Sequence, residues 1–506
     1  MTERVVVRRG AYHDSVTLMQ VSRQAEQLPG VVAAAAVSAT PVNLDLLARQ
    51  GFDLDAGGLG PGDLVVAVRA DDQAAAERAV EQVERLLAAP AGGGEVGGPA
   101  AAAAPPRSLR AAAARDPDLN LAFLSVPGRH LAYEAAQALQ AGLHVFCFSD
   151  GLTLPEEAAC KRQAVQRGLL FLGPDCGTAI LDGVGYGFAN AVEPGPVGVV
   201  GASGTGIQEV TCLLDAAGVG ISQAVGVGGR DLSATVGGTM TVRALELLAA
   251  DERTETLVVV SKPPDPRVAA TVAEAAARTG KPAVLALLGL REPPALPAGV
   301  VFAASLEDAA AWAAARHGAT PAAETLMALA PRPGAIRGLF CGGTLCTEAM
   351  LVVAAAAGRV ASNVPLRPEW RLADPWSSDG HTFVDCGDDR FTEGRAHPMI
   401  DPALRDERLA REAADPATGV VVLDVVLGRG AHPDPAAGLA PLVERARERV
   451  GVVVALCGAR GDPQGLERQS AALREAGAVV VRGAATAARL AVAAAGLPVP
   501  ERGVGR

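Results

Sequence analysis

The segment PVGVVGASGTGIQEV, residues 196–210, predicts the fold of this chain. Val197 to Val200 form an apolar run typical of a buried strand, and the small residues that follow predict a tight turn and a helix beginning near Thr205. The first N–H groups of a helix lack intrahelical acceptors and carry partial positive charge, so such a turn suits a phosphate or a carboxylate. The residues expected to bind the anion are Ser203, Gly204, Thr205 and Gly206.

Two further strands are predicted downstream, in AVGVGGRDL at 224–232 and TLVVVSKPPDP at 256–266. The carboxyl ends of parallel strands share one edge of a sheet, so Arg230, Asp231 and Lys262 should gather near Ser203. Only three of the 45 basic residues are lysines, which suggests that Lys262 supplies a compact ammonium to a site. The alternatives are an ordinary strand-end cation at Lys262 and an Arg230–Asp231 ion pair that fixes the loop.

The composition indicates a multidomain α/β protein with no nucleic-acid partner. A chain of 506 residues suits three or four domains, and with 49% hydrophobic but only 3% aromatic residues its cores must consist of Ala, Val and Leu. The net charge of −11 argues against nucleic-acid binding. No apolar run approaches a membrane span and the N-terminus lacks a signal-peptide core, so a cytoplasmic location is expected.

The eight cysteines are scattered and contain no CxxC pair. We expect buried, reduced thiols and no metal site, because zinc sites need closely spaced ligands.

The order of strands and helices predicts four domains and two linkers. The domains are a ferredoxin-like or ACT-like module (1–90), a Rossmann-like domain without GxGxxG (108–194) and two flavodoxin-like domains (195–320 and 335–500). The Pro- and Gly-rich linkers are residues 91–107 and 321–334.

The last domain repeats the opening motif. FCGGTLCTEAM, residues 340–350, again places a strand before a small-residue turn and a helix. A second helix N-terminus is therefore expected to bind an anion, through Gly342, Gly343 and Thr344. In both turns the alternative is a close strand–helix connection with no ligand.

Polar residues follow three other predicted strands. Arg395 and His397 lie in the loop GRAHPMIDP, where the arginine suits a bidentate carboxylate contact and the histidine an acid/base role or a structural one. The remaining strand-end residues are Ser149, Asp150, Asp175 and Cys176.

GASGTGIQE, VGVGGRDLS, SKPP, GPDCGT, GRAHPMIDP and LDVVLGRGAHPDPA together resemble the FdrA family along almost the whole chain. More distantly, residues 108–330 resemble the alpha subunit of succinyl-CoA synthetase, with a CoA-binding Rossmann domain and a flavodoxin-like domain. Residues 335–500 resemble the C-terminal domain of its beta subunit. By this resemblance Ser149, Asp150, Asp175 and Cys176 would line a CoA-type or substrate pocket.

Two departures from the synthetase bear on activity. Nothing in the sequence resembles an ATP-grasp domain, and no histidine lies between His144 and His317, where the family's phosphohistidine should follow the SKPP strand. The resemblance to CoA ligases therefore implies fold rather than activity.

The FdrA resemblance implies a subunit of oxamate carbamoyltransferase in allantoin catabolism, active with companion subunits as an oligomer. The substrates would be small molecules, with carbamoyl phosphate or phosphate among them. Lys262 or Arg230 would neutralise phosphate or polarise the carbamoyl oxygen. The alternatives are an acyl-CoA synthetase-like enzyme that binds CoA and a non-catalytic scaffold that binds a metabolite.

Overall fold

The computed structural model describes residues 1–11, 13, 15–54, 57–60, 62–88, 106–290, 292–320, 329–392, 395–500 and 504–505. The chain divides into two compact units: Met1–Ala104 with Cys386–Leu404, and Pro105–Asp385 with Arg405–Arg506. These are called the N-terminal unit and the main unit. Both predicted linkers, 91–107 and 321–334, lie largely outside the described residues.

The N-terminal unit contains a three-stranded antiparallel sheet in the order β1-β3-β2. Its elements are β1 (Thr2–Arg8), α1 (Ser15–Glu26), β2 (Val31–Ser38), α2 (Pro41–Arg49), β3 (Leu64–Ala70) and α3 (Gln73–Ala88). Alternation along the strands directs Leu64, Val66 and Val68 toward α1 and α3, where they form a buried core. The Thr40 hydroxyl accepts the N–H of Asn43 and so begins α2.

The main unit begins with a small parallel sheet in the order β4-β5-β6. Its elements are α4 (Leu109–Arg115), β4 (Leu121–Leu124), α5 (Gly128–Gln140), β5 (His144–Cys147), α6 (Leu154–Gln166) and β6 (Phe171–Leu172). A capping box between Thr153 and Glu156 begins α6. The core of this sheet is continuous with that of the next one, since Leu131, Phe146, Val200 and Leu257 belong to one buried cluster.

A hairpin of β7 (Thr178–Leu181) and β8 (Val184–Gly187) separates the two sheets in sequence. The Rossmann-like domain predicted over 108–194 includes these residues, but β7 pairs antiparallel with a strand of the second sheet, through Ile180 and Ala224. Asp182 and Gly183 both have positive φ, 49° and 78°, which is the tight turn that joins hairpin strands.

The second sheet has the flavodoxin-like strand order β10-β9-β11-β12-β13 at its centre. Its elements are β9 (Pro194–Ala202), α7 (Gly204–Ala216), β10 (Ile221–Gly226), α8 (Thr239–Ala250), β11 (Thr256–Ser261), α9 (Pro266–Arg278), β12 (Ala283–Leu287), β13 (Val300–Ala303) and α10 (Leu306–Arg316). Every residue of β11 and β12 is buried, as expected for parallel strands covered on both faces.

The third sheet repeats this order as β16-β14-β17-β18-β19, with β15 added at one edge. The elements are β14 (Ala335–Phe340), α11 (Gly343–Ala357), β15 (Ala361–Ser362), β16 (Thr382–Asp385), α12 (Asp389–Thr392), α13 (Ala403–Ala414), β17 (Thr418–Val426), α14 (Pro435–Ala446), β18 (Gly451–Cys457), α15 (Leu466–Glu475), β19 (Val479–Val481) and α16 (Ala484–Ala494). β20 (Val504–Gly505) returns to pair with β13. The predicted α/β class, with two flavodoxin-like halves, is confirmed.

Candidate functional site

The first predicted turn caps a helix. Ser203 follows β9 in an extended conformation, and its hydroxyl accepts the N–H of Gly206 at 2.9 Å to begin α7. A Cβ on Gly206 would lie 2.6 Å from Cγ1 of Val260, and one on Gly204 would lie 3.4 Å from the hydroxyl of Thr178. Gly206 therefore allows α7 to pack closely on β11, as in the alternative of a close strand–helix connection.

The two predicted turns meet. The hydroxyl oxygens of Ser203 and Thr344 lie 2.5 Å apart, and both residues are buried. A Cβ on Gly342 would lie 3.0 Å from Cγ2 of Thr205. The N-termini of α7 and α11 thus converge, as the repeated motif predicts. The two hydroxyls hydrogen-bond to each other, so one proton lies between them, only the other can be donated to an anionic oxygen, and no anion fits between them.

A carboxylate of the protein already occupies part of the second turn. Asp424, at the end of β17, accepts the N–H groups of Cys341 and Gly342 at 2.7 Å each. Burial raises the pKa of Asp424, and these N–H groups and the nearby Arg405 oppose that shift. The prediction that the Gly342 amide binds phosphate is therefore corrected: that N–H is taken, and Gly343 and Thr344 remain for an anion.

Lys262 lies beside the second turn. A Cβ on Gly343 would lie 3.4 Å from Nζ of Lys262 and 2.5 Å from Oδ2 of Asp385, which ends β16. Only glycine leaves room for both side chains at this position. An ammonium, a carboxylate and a helix N-terminus therefore gather at the carboxyl edges of two different sheets, close to where strand ends place ligands in α/β proteins.

Arg230 and Asp231 have a structural role instead of the predicted catalytic one. Asp231 is fully buried, accepts the ammonium of Lys161 at 2.8 Å, and also accepts the N–H and hydroxyl of Thr241 at 2.9 and 2.7 Å. Arg230 donates to Glu157 at 3.0 Å. The alternative prediction, that ion pairs fix this loop, agrees with these contacts. The pairs are Asp231 with Lys161 and Arg230 with Glu157, not Arg230 with Asp231.

The four residues predicted to line a CoA-type pocket lie together at the end of the small sheet. The Ser149 hydroxyl accepts the N–H of Val126 at 2.7 Å, and the N–H of Asp175 donates to the Ser149 carbonyl at 3.1 Å. Asp150 lies 3.6 Å from Arg230. Burial raises the pKa of the Cys176 thiol to about 12, so it is not a ready nucleophile.

Arg395 and His397 belong to the N-terminal unit, whereas Lys262 belongs to the main unit. Nδ1 of His397 accepts the N–H of Met399 at 3.2 Å, and its carbonyl accepts the N–H of Ile400 at 2.7 Å. Burial lowers the pKa of His397 to about 4, so the ring is neutral near pH 7. These are the contacts of the structural histidine that was the alternative to an acid/base group.

Two buried glutamates were missed in the sequence. Glu209 on α7 accepts the N–H of Ala484, which begins α16, at 3.2 Å, and Glu348 on α11 accepts the N–H of Leu306, which begins α10, at 2.6 Å. Each half thus supplies a carboxylate to the last helix of the other. The aligned motifs GTGIQE and GTLCTE carry the signal, because both place the glutamate at the same position of the helix.

Three family profiles match the chain. They are described as "AllF, heavy metal-associated domain" over residues 1–103, "CoA binding domain" over 192–288 and "CoA-ligase" over 339–494. The predicted CoA-binding-type domain covers 108–194, whereas the CoA-binding profile matches the domain that contains the first Gly-rich turn.

Individual relatives agree with these profiles. The alpha 2 subunit of the ADP-forming succinate–CoA ligase of Archaeoglobus fulgidus is 31% identical over 224 residues, 41% of this chain and 76% of that protein. The sulfoacetate–CoA ligase subunit SauD of Bilophila wadsworthia is 30% identical over 155 residues, 29% of this chain and 52% of that protein. Fold and sequence therefore define a succinyl-CoA synthetase-like protein.

One relative matches almost the whole length. YahF of Escherichia coli K12 is 38% identical over 506 residues, which is 95% of this chain and 96% of that protein. The chain belongs to the same family as YahF.

The profile names imply a heavy metal and CoA. The residues of this chain fit CoA but not a heavy metal. Residues 1–103 contain no cysteine and one histidine, and the described residues hold no metal-binding group of His, Cys, Asp or Glu. A heavy-metal site is therefore not supported here.

For CoA, α5 begins at Gly128 with Arg129 and His130 exposed in its first turn, a donor set that suits a pyrophosphate, although this helix lies outside residues 192–288, which the CoA-binding profile matches. Every helix in the described part of the chain is too short or too polar to span a membrane.

Proposed function

We propose that this chain is a subunit of oxamate carbamoyltransferase, which interconverts oxalurate and phosphate with oxamate and carbamoyl phosphate. One observation carries the proposal: two helix N-termini meet at Ser203 and Thr344, near Lys262, in a chain with no histidine between His144 and His317. An anion site without a residue to carry a phosphoryl group suits an acyl phosphate substrate. The FdrA-like motifs of the sequence support the same function.

The carbamoyl transfer requires that the reactants are held in position and that developing negative charge is stabilised. A phosphate oxygen attacks the carbamoyl carbon of oxalurate, the bond from that carbon to the oxamate nitrogen breaks, and the nitrogen takes up a proton. The hydroxyls of Ser203 and Thr344 hydrogen-bond to each other across 2.5 Å, so the pair has one proton left to donate to a phosphate oxygen. In this proposal the Lys262 ammonium neutralises the charge that develops on the phosphate or on the carbamoyl oxygen.

Companion subunits are part of the proposal. Relatives of this chain are named as single subunits of CoA ligases, so the fold is one that works beside another polypeptide in those proteins. We propose that partner chains complete the active site here as well and that the isolated chain has little or no activity.

The alternative is a CoA ligase-like activity, which the profile over residues 192–288 and the ligase relatives favour. In that case the first turn of α5, with Arg129 and His130, would hold the CoA pyrophosphate, and bound CoA would supply the thiol that accepts an acyl group. Ser149 would shape the adjoining turn through its bond to Val126.

The test is an assay of carbamoyl phosphate formation from oxalurate and phosphate, with the chain alone and with its companion subunits. Carbamoyl phosphate is expected with the subunits, and Lys262→Ala should lower the rate at least tenfold. Arg267→Ala is the matched control, because this nearby cation has an 87% exposed side chain. Thioester formation from CoA and ATP, with no carbamoyl phosphate, would favour the ligase instead. Equal rates for wild type and Lys262→Ala would remove Lys262 from the site.

A further inference from the structure

The hydroxyl of Thr178, the first residue of β7, is buried and has no hydrogen-bond partner among the residues that the structure describes. Only 1% of the surface of this residue is exposed. A buried hydroxyl that makes no hydrogen bond costs free energy, and such groups are rare in folded proteins. The packing of the fold therefore does not by itself account for a polar group at this position.

The Thr178 hydroxyl lies against the first turn of α7. A Cβ on Gly204, the first residue of that helix, would lie 3.4 Å from Oγ1 of Thr178 and 3.7 Å from its main-chain nitrogen. The N–H groups in the first turn of a helix lack intrahelical acceptors, and the Ser203 hydroxyl accepts the one of Gly206. Thr178 thus adds a side-chain donor beside the N–H groups of Gly204 and Thr205.

Main-chain contacts fix the start of β7 in place. The carbonyl of Thr178 accepts the Cys176 thiol at 3.7 Å and lies so close to β10 that a Cβ on Gly226 would be 2.2 Å from it. The carbonyl of Gly177 accepts the N–H of Phe188 at 2.8 Å. A backbone held from both sides presents the hydroxyl to α7 in one position, which is what a ligand-binding group requires.

The two helix N-termini of the candidate site differ in the side chains beside them. Lys262 lies beside Gly343 at the start of α11, whereas Thr178 lies beside Gly204 at the start of α7. The two hydroxyls that meet between the turns have one proton left to donate. Thr178 therefore supplies a second hydroxyl donor, at the helix terminus that lacks the lysine.

We propose that Thr178 is an anion-binding residue, whose hydroxyl donates to an oxygen of a tetrahedral oxyanion at the first turn of α7. The inference rests on the proposed function for the place of the anion, but not for the transfer reaction. It adds a residue from outside both Gly-rich turns and makes the hairpin of β7 and β8 part of the site. The unfavourable burial of the hydroxyl in the free protein is then relieved when the anion binds.

The test combines urea unfolding with calorimetric titration of the full-length chain by inorganic phosphate. Valine keeps the shape of threonine but lacks the hydroxyl, so without phosphate Thr178→Val should unfold at a higher urea concentration than the wild type. The same variant should bind phosphate about tenfold more weakly, as expected for the loss of one hydrogen bond to a charged group. Thr178→Ser, which keeps the hydroxyl, should retain the wild-type affinity.

Thr211→Val is the matched control. Thr211 is also 1% exposed, but its hydroxyl donates to the Gln208 carbonyl at 3.0 Å. This variant should therefore unfold at a lower urea concentration and keep the wild-type phosphate affinity. A second test variant, Gly204→Ala, places a methyl group 3.4 Å from the Thr178 hydroxyl, and it should weaken phosphate binding while remaining folded by circular dichroism.

Three results would overturn the proposal. The first is equal phosphate affinity in the wild type and Thr178→Val. The second is a lowered urea midpoint of Thr178→Val without phosphate, because the hydroxyl would then already be satisfied in the free protein. The third is no phosphate binding by the wild type, either alone or with its companion subunits.

The formation of carbamoyl phosphate tests the proposed function separately. If Thr178→Val loses phosphate affinity but the wild type forms no carbamoyl phosphate, the binding role of Thr178 is supported and the transfer reaction is wrong. If carbamoyl phosphate forms and Thr178→Val keeps the wild-type KM for phosphate, the transfer reaction is supported and the role of Thr178 is wrong.

Discussion

The ammonium of Lys161 lies 2.8 Å from a carboxylate oxygen of Asp231, and neither side chain has exposed surface. Lys161 also donates to Glu157 and to the carbonyl of Val227, each at 2.8 Å. The loop after β10 is therefore fixed to α6 by one cation between two buried anions. Burying charged side chains costs free energy, and the folded state is destabilised if one charge of such a buried cluster is removed.

Replacing this cation should be severely destabilising. Lys161→Met leaves Glu157 and Asp231 buried without their shared partner, and we expect a loss of about 3–5 kcal/mol. Arg230→Gln, which removes a half-exposed partner of Glu157, should cost only about 1 kcal/mol. Urea unfolding followed by tryptophan fluorescence would show the difference. Equal midpoints for wild type and Lys161→Met would contradict this account.

Glu209 should make stability depend on pH. Burial, with the nearby Glu307, raises its pKa from 4.5 to about 7. The folded state therefore binds a proton that the unfolded state has released between these values, so this contribution is fully present below pH 4.5 and is lost as pH rises through about 7. Glu209→Gln should remove a pH dependence of about 3 kcal/mol over that range.

Urea unfolding at several pH values between 4.5 and 8 would measure this dependence. The exposed Glu274 offers the control, since Glu274→Gln should leave the dependence unchanged. A Glu209→Gln variant whose stability follows the wild-type pH profile would disprove a titrating role for this carboxylate.

Ser203 should matter for phosphate as well as for stability. Its hydroxyl caps α7, so Ser203→Ala should cost about 1 kcal/mol. Ser305 caps α10 in the same way, accepting the N–H of Asp308 at 3.0 Å, and is the matched control. Both alanine variants should lose similar stability, but only Ser203→Ala should weaken phosphate binding, several-fold by titration. Equal phosphate affinities in the two would separate Ser203 from the site.

At Lys262 the position of the charge should matter as well as its sign. The Lys262 ammonium stands close to Gly343, since a Cβ on that glycine would lie 3.4 Å from Nζ. We therefore expect Lys262→Arg to keep the fold but to recover less than a tenth of the wild-type transfer rate, because a planar guanidinium places its charge and its donors differently from a compact ammonium. Steady-state rates with companion subunits would measure this, and full activity of Lys262→Arg would show that any cation suffices.

Much of the main unit follows from local pattern. The strand–turn–helix motifs at Ser203 and Gly342 predict both sheets, and their repetition predicts that two helix N-termini stand at equivalent places. Partners distant in sequence are not predictable in this way. Nothing in VGVGGRDLS indicates that Asp231 pairs with Lys161, which lies 70 residues earlier. The packing of the loop after β10 against α6, which only the folded chain brings together, decides that pairing.

The boundaries between domains were less predictable for the same reason. Residues 178–187 continue the small-sheet segment in sequence, yet the turn at Asp182 and Gly183 lets them fold back and pair with β10. The segment Cys386–Leu404 interrupts the last sheet and packs with the N-terminal unit instead. Its motif GRAHPMIDP suggested a ligand, but sequence alone could not say which unit would present it.

The exchange of carboxylates between Glu209 and Ala484, and between Glu348 and Leu306, has a consequence for the polypeptide as a whole. If the chain were cut before β14, the N-terminal fragment would keep Glu209 and Leu306 without their partners. The C-terminal fragment would keep Glu348 and Ala484 without theirs, so neither fragment should be stable by itself. Because one polypeptide contains both flavodoxin-like halves, their association is intramolecular, with a millimolar effective concentration, about the value expected for short tethers. Covalent continuity thus guarantees equal amounts of the two halves whatever the level of expression.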